Sequence, residues 1–227
     1  MEPTSNCSSA SGGRVFADAA AVMQAVESQT LILYHSDLRG EWPGDGSRLL
    51  AARLPYLKRL AAGSGSAAAR ASLAGIALAL RALTRITART VDAGEIVFTH
   101  GLKPTLACAG APTALPPDFS ISHAGPWVGC AAMPHGRVGF DIETGADARI
   151  ARWVAHEALL KATGAGIRAL REVRALPFVD GHARWRDELW HARALDLFPG
   201  ASACVMTSVA VRELEVHALS LEELFAP

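Results

Sequence analysis

The chain has 227 residues, half of them hydrophobic, and a formal net charge of zero, which predicts a soluble globular protein with ample material for a core. No apolar run approaches the roughly 18 residues that a membrane span needs, and no basic segment followed by an apolar block suggests a signal peptide. The four cysteines lack Cys-x-x-Cys spacing, which favours reduced thiols in the cytoplasm over disulfides or a zinc site. We therefore expect a cytoplasmic protein with no membrane partner.

The basic residues are unevenly distributed along this neutral chain. Residues 46–91 contain eight basic side chains and no acidic one, whereas the C-terminal end carries Glu213, Glu215, Glu222 and Glu223. A basic segment in a neutral protein indicates a local site for an anion and not a general nucleic-acid surface. We therefore expect no nucleic-acid partner.

The first half of the chain is predicted to alternate helices and strands. Residues 1–13 are rich in Ser and Gly and are expected to be disordered. After them, hydrophobic patterns predict helices and strands in similar number. The helices are expected over 15–26, 48–61 and 67–83, and the strands over 31–35, 95–99 and 119–123.

The second half is predicted to contain one long helix among strands. Strands over 127–133 and 137–143 are expected to pair as a hairpin across Pro134-His135-Gly136. After the helix, strands are expected over 176–179, 183–185, 192–198 and 204–211. Because this order partly repeats that of the first half, we predict an α+β fold class with two pseudo-duplicated lobes, 14–135 and 136–227.

Two carboxylates share one face of the strand at 138–143. Val138, Phe140 and Ile142 alternate with a glycine and two acids, so the period of two places Asp141 and Glu143 side by side. Neighbouring carboxylates repel each other unless a positive charge lies between them, and a divalent cation commonly supplies it. The pattern therefore indicates a metal site.

The helix that follows this strand can add a third carboxylate and an ammonium group. Asp147 is a candidate N-cap, and Gly164 with Gly166 supplies a C-terminal stop after Thr163. Trp153, Glu157 and Lys161 recur every four residues and so share one stripe. Taken alone, a Glu–Lys pair with this spacing fits a surface ion pair. Together with the strand carboxylates and the segments upstream, it outlines a site for a metal and a phosphate.

Four segments of the chain together carry a family resemblance. Lys103-Pro104 follows Gly101 after one intervening residue, and Phe119-Ser-Ile-Ser-His123 forms the second segment. The third is Gly139-Phe-Asp-Ile-Glu143, and the fourth runs from Trp153 to Gly166. In this order they resemble the Gly-Lys-Pro, Phe-Asn/Ser-Ile-Ser-His, Gly-x-Asp-x-Glu and Trp-x-x-Lys-Glu-Ala-x-x-Lys-x-x-Gly-x-Gly motifs of 4′-phosphopantetheinyl transferases of the long, surfactin-synthetase-activating type. A weaker fifth segment begins at Arg70, and the resemblance covers about residue 31 to the C-terminus.

The resemblance implies a reaction and a set of site residues. Such an enzyme transfers the phosphopantetheine arm of coenzyme A to a serine of an acyl or peptidyl carrier protein and releases 3′,5′-ADP. It implies a monomer whose active site lies between two lobes, the N-terminal one on the side of the coenzyme 3′-phosphate. Asp141, Glu143 and Glu157 would hold Mg²⁺, with Glu157 and Lys161 catalytic. The coenzyme-binding residues implied are Arg70, Lys103, Ser122, His123, His156 and Lys161, together with Lys58 and Arg59.

This sequence departs from the family pattern at two points. His156 stands where the motif has a lysine, so a permanent cation is replaced by a group that titrates near neutrality. Only about 15 residues separate Asp141 from Glu157, and the family usually inserts a longer helical segment there that helps to bind the carrier. These departures leave open a non-catalytic relative that binds coenzyme A or a carrier protein. A metal-dependent nucleotide hydrolase is a third alternative, but it does not account for 119–123.

Overall fold

The computed structural model describes residues 30–43, 50, 53, 66–99, 102–107 and 116–226. Within these ranges the protein has a mixed α+β fold with ten strands and four α-helices. The predicted disorder of 1–13 and the predicted helix over 15–26 lie outside the described residues, as do Lys58, Arg59 and almost all of the helix predicted over 48–61.

The first sheet has four strands in the order β10-β1-β5-β4. Their bounds are Thr30–Asp37 for β1, Asp118–Ala124 for β4, Trp127–Met133 for β5 and Glu213–Ala218 for β10. β1 pairs parallel with β10 and antiparallel with β5, and β4 and β5 form a hairpin around Gly125 and Pro126. The short strands β2 (Ile96–Val97) and β3 (Thr105–Leu106) pair separately. β10 thus joins the chain's C-terminal end to the sheet of its first half.

Helix α1 (Ala67–Thr87) covers the first sheet and confirms the helix predicted over 67–83. Ser66 caps it by accepting a hydrogen bond from the Ala69 amide at 3.3 Å. Its apolar face packs into one core with Phe119, Val128 and the C-terminal helix α4 (Leu221–Phe225). Among the described residues, α1 alone is long and apolar enough to cross a membrane, but most of that stretch is buried, as in the core helix of a soluble protein.

The second sheet has the order β6-β9-β8-β7. Its strands are β6 (Val138–Thr144), β7 (His182–Trp185), β8 (Glu188–Leu195) and β9 (Ala201–Thr207). Helix α2 (Ala148–Thr163) lies across it, followed by a 3₁₀ turn (Ile167–Ala169) and α3 (Leu170–Arg174). As the sequence predicts, the Asp147 side chain caps α2, and Gly164 ends it in the left-handed conformation with φ of 67°.

The predicted pairing of 127–133 with 137–143 is wrong. β5 has β1 on one side and β4 on the other, so its backbone groups have no free edge to offer. β6 therefore leaves this sheet and pairs with β9, placing Asp141 opposite Cys204. The strand predicted over 176–179 reduces to one bridge between Val179 and His182, and the strand over 95–99 is a 3₁₀ turn at Ala93–Glu95 followed by the short β2.

Candidate functional site

The two sheets meet edge to edge at β4 and β6 and are joined there by side chains. Three β4 side chains at alternating positions accept hydrogen bonds from alternating β6 amides: Asp118 Oδ2 from Val138 (2.7 Å), Ser120 Oγ from Phe140 (3.0 Å) and Ser122 Oγ from Ile142 (3.2 Å). Buried backbone amides need partners, and here hydroxyl and carboxylate groups take the place of a paired strand. This row fixes the position of β6, and therefore of Asp141, relative to β4.

A cluster of three side chains lies at this junction. Lys161 Nζ donates to Asp141 Oδ1 at 2.6 Å and to Ser122 Oγ at 2.9 Å, and Ser122 donates to Asp141 Oδ1 at 2.8 Å. A serine hydroxyl has one proton to donate and two lone pairs, and the bond from Ile142 uses the second lone pair. Ser122, which is buried, therefore acts through Asp141 and Lys161 and has no further hydrogen-bonding capacity for a ligand.

Gly139 brings helix α2 close enough to β6 for these contacts. A Cβ at this position would lie 1.9 Å from the Ala158 carbonyl oxygen and 2.4 Å from the Ala162 amide nitrogen. No L side chain could be accommodated without moving the helix. The glycine in Gly139-Phe-Asp-Ile-Glu143 thus has a physical reason, since it brings the Lys161 turn of the helix against the strand that carries Asp141.

Three carboxylates, Asp141, Glu143 and Glu157, lie on the acidic side of the cluster. Burial, and then the negative charge of Asp141 and Glu143, raise the pKa of Glu157, although Lys161 opposes the shift. Asp141 is 4% exposed, and its Oδ2 atom has no hydrogen-bond partner among the described residues. No group of three acidic, His or Cys side chains is arranged to surround an ion in that part of the chain; the Lys161 ammonium contacts Asp141 instead. Carboxylate oxygens, one of them unpartnered, suit a hard divalent cation.

Two further predicted residues lie beside the cluster. Burial, and then the Lys161 ammonium, lower the pKa of His123, while Asp141 and Glu143 oppose the shift. Lys103 Nζ contacts Asp118 Oδ2 at 2.5 Å and the Val138 carbonyl oxygen at 2.8 Å. Burial lowers the pKa of Lys103, and the charge of Asp118 opposes this. Lys103 therefore both anchors its loop to the sheet junction and presents a cation there.

Two other predicted coenzyme-binding residues, Arg70 and His156, do not line the cavity described below. Arg70 is exposed on α1, where its guanidinium carbon lies 5.5 Å from the centroid of the Trp42 ring. His156 is 3% exposed, and its ring packs against Phe178 with 5.4 Å between the centroids. Burial lowers the pKa of His156, and its Nε2 atom has no partner among the described residues. Trp153 also packs, under the guanidinium of Arg174.

A cavity of about 320 Å³ opens beside the cluster. Its walls come from the loop at Leu102–Pro104, from β4 and from the C-terminal half of α2 with the turn after it. Lys103, Glu157 and Lys161 supply the charged groups, and Pro104, Ile121 and Leu160 supply apolar surface. Apolar walls with a few converging charges are typical of a site for a small anionic ligand.

Asp118 and Ser120 are the residues that the sequence interpretation missed. Both join the sheets, and Ser120 also lines the cavity. The signal was present, because positions 118, 120 and 122 are polar while Phe119 and Ile121 between them are apolar. That alternation shows a polar face on β4 but does not show which strand the face meets.

No protein-family model matches the sequence, and no curated protein matches it significantly. Function is therefore inferred from the motifs together with the geometry of the site.

Proposed function

We propose that this protein is a 4′-phosphopantetheinyl transferase with the pseudo-duplicated two-lobe fold, acting in the cytoplasm as a monomer. It would transfer the phosphopantetheine arm of coenzyme A to a serine of an acyl or peptidyl carrier protein. The observation that carries the proposal is that three of the motif segments meet at one site. Segments 119–123, 139–143 and 153–166 meet in the Ser122–Asp141–Lys161 cluster beside a cavity with two lysines.

Asp141, Glu143 and Glu157 are the residues that would hold Mg²⁺. When bound, the ion neutralises charge on the pyrophosphate and on the departing 3′,5′-ADP. The unpartnered Asp141 Oδ2 supports this assignment, because that oxygen is available to an ion. The raised pKa of Glu157 also supports it, because burial and then the negative charge of Asp141 cause the shift and a nearby cation would relieve it.

The reaction joins the carrier serine to phosphorus and releases a nucleotide. The serine oxygen forms a new bond to the phosphorus that bears the pantetheine arm, and the bond from that phosphorus to 3′,5′-ADP breaks. The serine proton passes to Glu157 or to a water that it orients, and the raised pKa of this carboxyl makes its carboxylate a stronger base. Lys161 and Lys103 line the cavity, where they would bind the phosphates, with His123 beside them.

The alternative function is a non-catalytic relative that binds coenzyme A or a carrier protein. The buried position of His156 favours this alternative. The residue that replaces the motif lysine contributes no positive charge to the cavity. The short connection from β6 to α2, residues 145–147, leaves no inserted helix there to contact a carrier.

Intact-mass spectrometry of apo-carrier proteins separates these alternatives. With coenzyme A and Mg²⁺, the transferase should add about 340 Da to a carrier, the mass of the arm from the bonds formed and broken. Asp141→Ala is the matched inactive variant. If a broad panel of carriers gains no mass while the protein still binds coenzyme A, the binding function replaces the catalytic one.

A further inference from the structure

The ammonium group of Lys161 lies where a cation for the acidic cluster is needed. Its Nζ atom is 2.6 Å from Asp141 Oδ1, 2.9 Å from Ser122 Oγ and 3.5 Å from the Ile121 carbonyl oxygen. Asp141 is buried, and a buried carboxylate requires a compensating positive charge. Among the described residues, Lys161 is the ion-pair partner of Asp141.

The same ammonium group also lies beside a second carboxylate. Glu157 comes one helical turn before Lys161 on α2, and both residues line the cavity. A divalent ion bound to Asp141 at short range would repel the ammonium strongly, because both charges would lie within a few ångströms in a partly desolvated site.

We propose that Lys161 is a tethered counter-ion that occupies the cation position at Asp141 and is displaced from it when a divalent ion binds. The displaced ammonium remains in the cavity, which its side chain lines, and there it can contact an anionic ligand. Its four-carbon stem allows this movement without any shift of α2. This inference rests on the proposed metal site and deepens it, since Lys161 and the ion would exchange places rather than act side by side from the start.

The test is Mn²⁺ affinity measured by electron paramagnetic resonance of the free ion, without coenzyme A or carrier. Lys161→Met removes the competing charge and should bind Mn²⁺ at least about tenfold more tightly than the wild type. Lys161→Gln, which keeps an amide donor for Asp141 and Ser122, should show the same direction and covers the case in which the Met variant folds poorly. Lys161→Arg keeps the charge and should bind as weakly as the wild type.

Two controls place the effect at this cluster. Arg168→Met removes an exposed cation on the 3₁₀ turn beside the cavity and should leave Mn²⁺ affinity within about twofold of the wild type. Asp141→Asn in the Lys161→Met background should abolish the tight binding. In EDTA, Lys161→Met should melt at a lower temperature than the wild type and recover when Mn²⁺ is added.

Equal Mn²⁺ affinity in the wild type and in both uncharged Lys161 variants would overturn the proposal, as would an equal gain in Arg168→Met. Because no coenzyme or carrier is present, these outcomes are independent of transfer activity. If Lys161→Met binds Mn²⁺ more tightly but the wild type modifies no carrier, the exchange at Lys161 is supported and the transferase is refuted. If the affinities are equal but the wild type is active, the exchange is refuted and the transferase is supported.

Discussion

Gly139→Ala tests the close approach of α2 to β6 that assembles the site. The added methyl group would lie 1.9 Å from the Ala158 carbonyl oxygen, whereas a carbon–oxygen contact normally needs roughly 3.3 Å. The helix must therefore move away by about 1.4 Å, and overpacking of this kind costs about 3 kcal/mol. For a chain of this size the melting temperature should fall by roughly 6–12 °C. The shift would also separate Lys161 from Asp141, which are now 2.6 Å apart.

Thermal unfolding and transfer rate are the two assays for this variant. A displacement of about 1 Å in a catalytic group costs on the order of 100-fold in rate. Gly200→Ala is the matched control, because Gly200 has φ of 77° but no atom within 4 Å of an added Cβ. It should cost only about 1 kcal/mol of backbone strain, or roughly 2–4 °C. If Gly139→Ala melts no lower than Gly200→Ala, the close approach is incorrect and the argument for an assembled cluster fails with it.

Three further predictions concern the charged groups of the site. Asp141→Ala and Glu157→Ala should each lower the transfer rate by about 100-fold or more. Because the carboxylates act as one unit, the loss in the double variant should be far smaller than the product of the two single losses. Multiplicative losses would contradict a shared site. Because Glu157 has a raised pKa in the folded protein, its ionisation costs stability as the pH rises through that pKa. In EDTA, Glu157→Gln should therefore melt at a higher temperature than the wild type at pH 8, with no difference below about pH 4. If the difference in melting temperature instead grows as the pH falls, the pKa of Glu157 is not raised. His156→Lys should destabilise the fold by about 3 kcal/mol, because it buries an ammonium without a counter-charge. If the variant instead keeps wild-type stability and its kcat/KM exceeds that of the wild type at pH 8.5 but not at pH 6, then this position reaches the coenzyme.

Helix α2 and the carboxylate face of β6 were predictable because their determinants are local. Asp147 and Gly164 mark the ends of the helix, and both have the predicted capping roles. The period-two pattern predicted that Asp141 and Glu143 share a face of the strand, and the four-residue spacing predicted that Glu157 and Lys161 share a stripe of the helix. Both predictions depend only on chain geometry within one element.

The sheet pairing was not predictable from the local pattern. Two strands joined by Pro134-His135-Gly136 are typical of a hairpin, but β5 already has two partners and β6 belongs to the second sheet. The contact between β4 and β6 uses side chains as acceptors for backbone amides, an arrangement that no propensity encodes. The joining roles of Asp118 and Ser120 therefore become visible only in three dimensions.

The position of His156 could have been inferred more fully from the sequence. Three residues later comes Leu159, which is fully buried and does not line the cavity, so His156 lies on the core-facing stripe of α2 and not on the stripe of Glu157 and Lys161. The motif alignment assigned it a phosphate contact by position in the sequence. One residue along a helix is a rotation of about 100°, which is enough to turn the side chain from the cavity into the core.

The central claim is transfer of the arm to a carrier serine, and the most direct measurement couples both products of one reaction. Apo-carrier, coenzyme A and Mg²⁺ are incubated with the protein, the modified residue is mapped by peptide mass spectrometry, and 3′,5′-ADP is quantified in the same sample. We predict one arm of about 340 Da on a single serine and an equal amount of 3′,5′-ADP, both lost in Asp141→Ala. Release of nucleotide without modified carrier would indicate a hydrolase, and bound coenzyme A with neither product would indicate a binding protein; either result would contradict the claim.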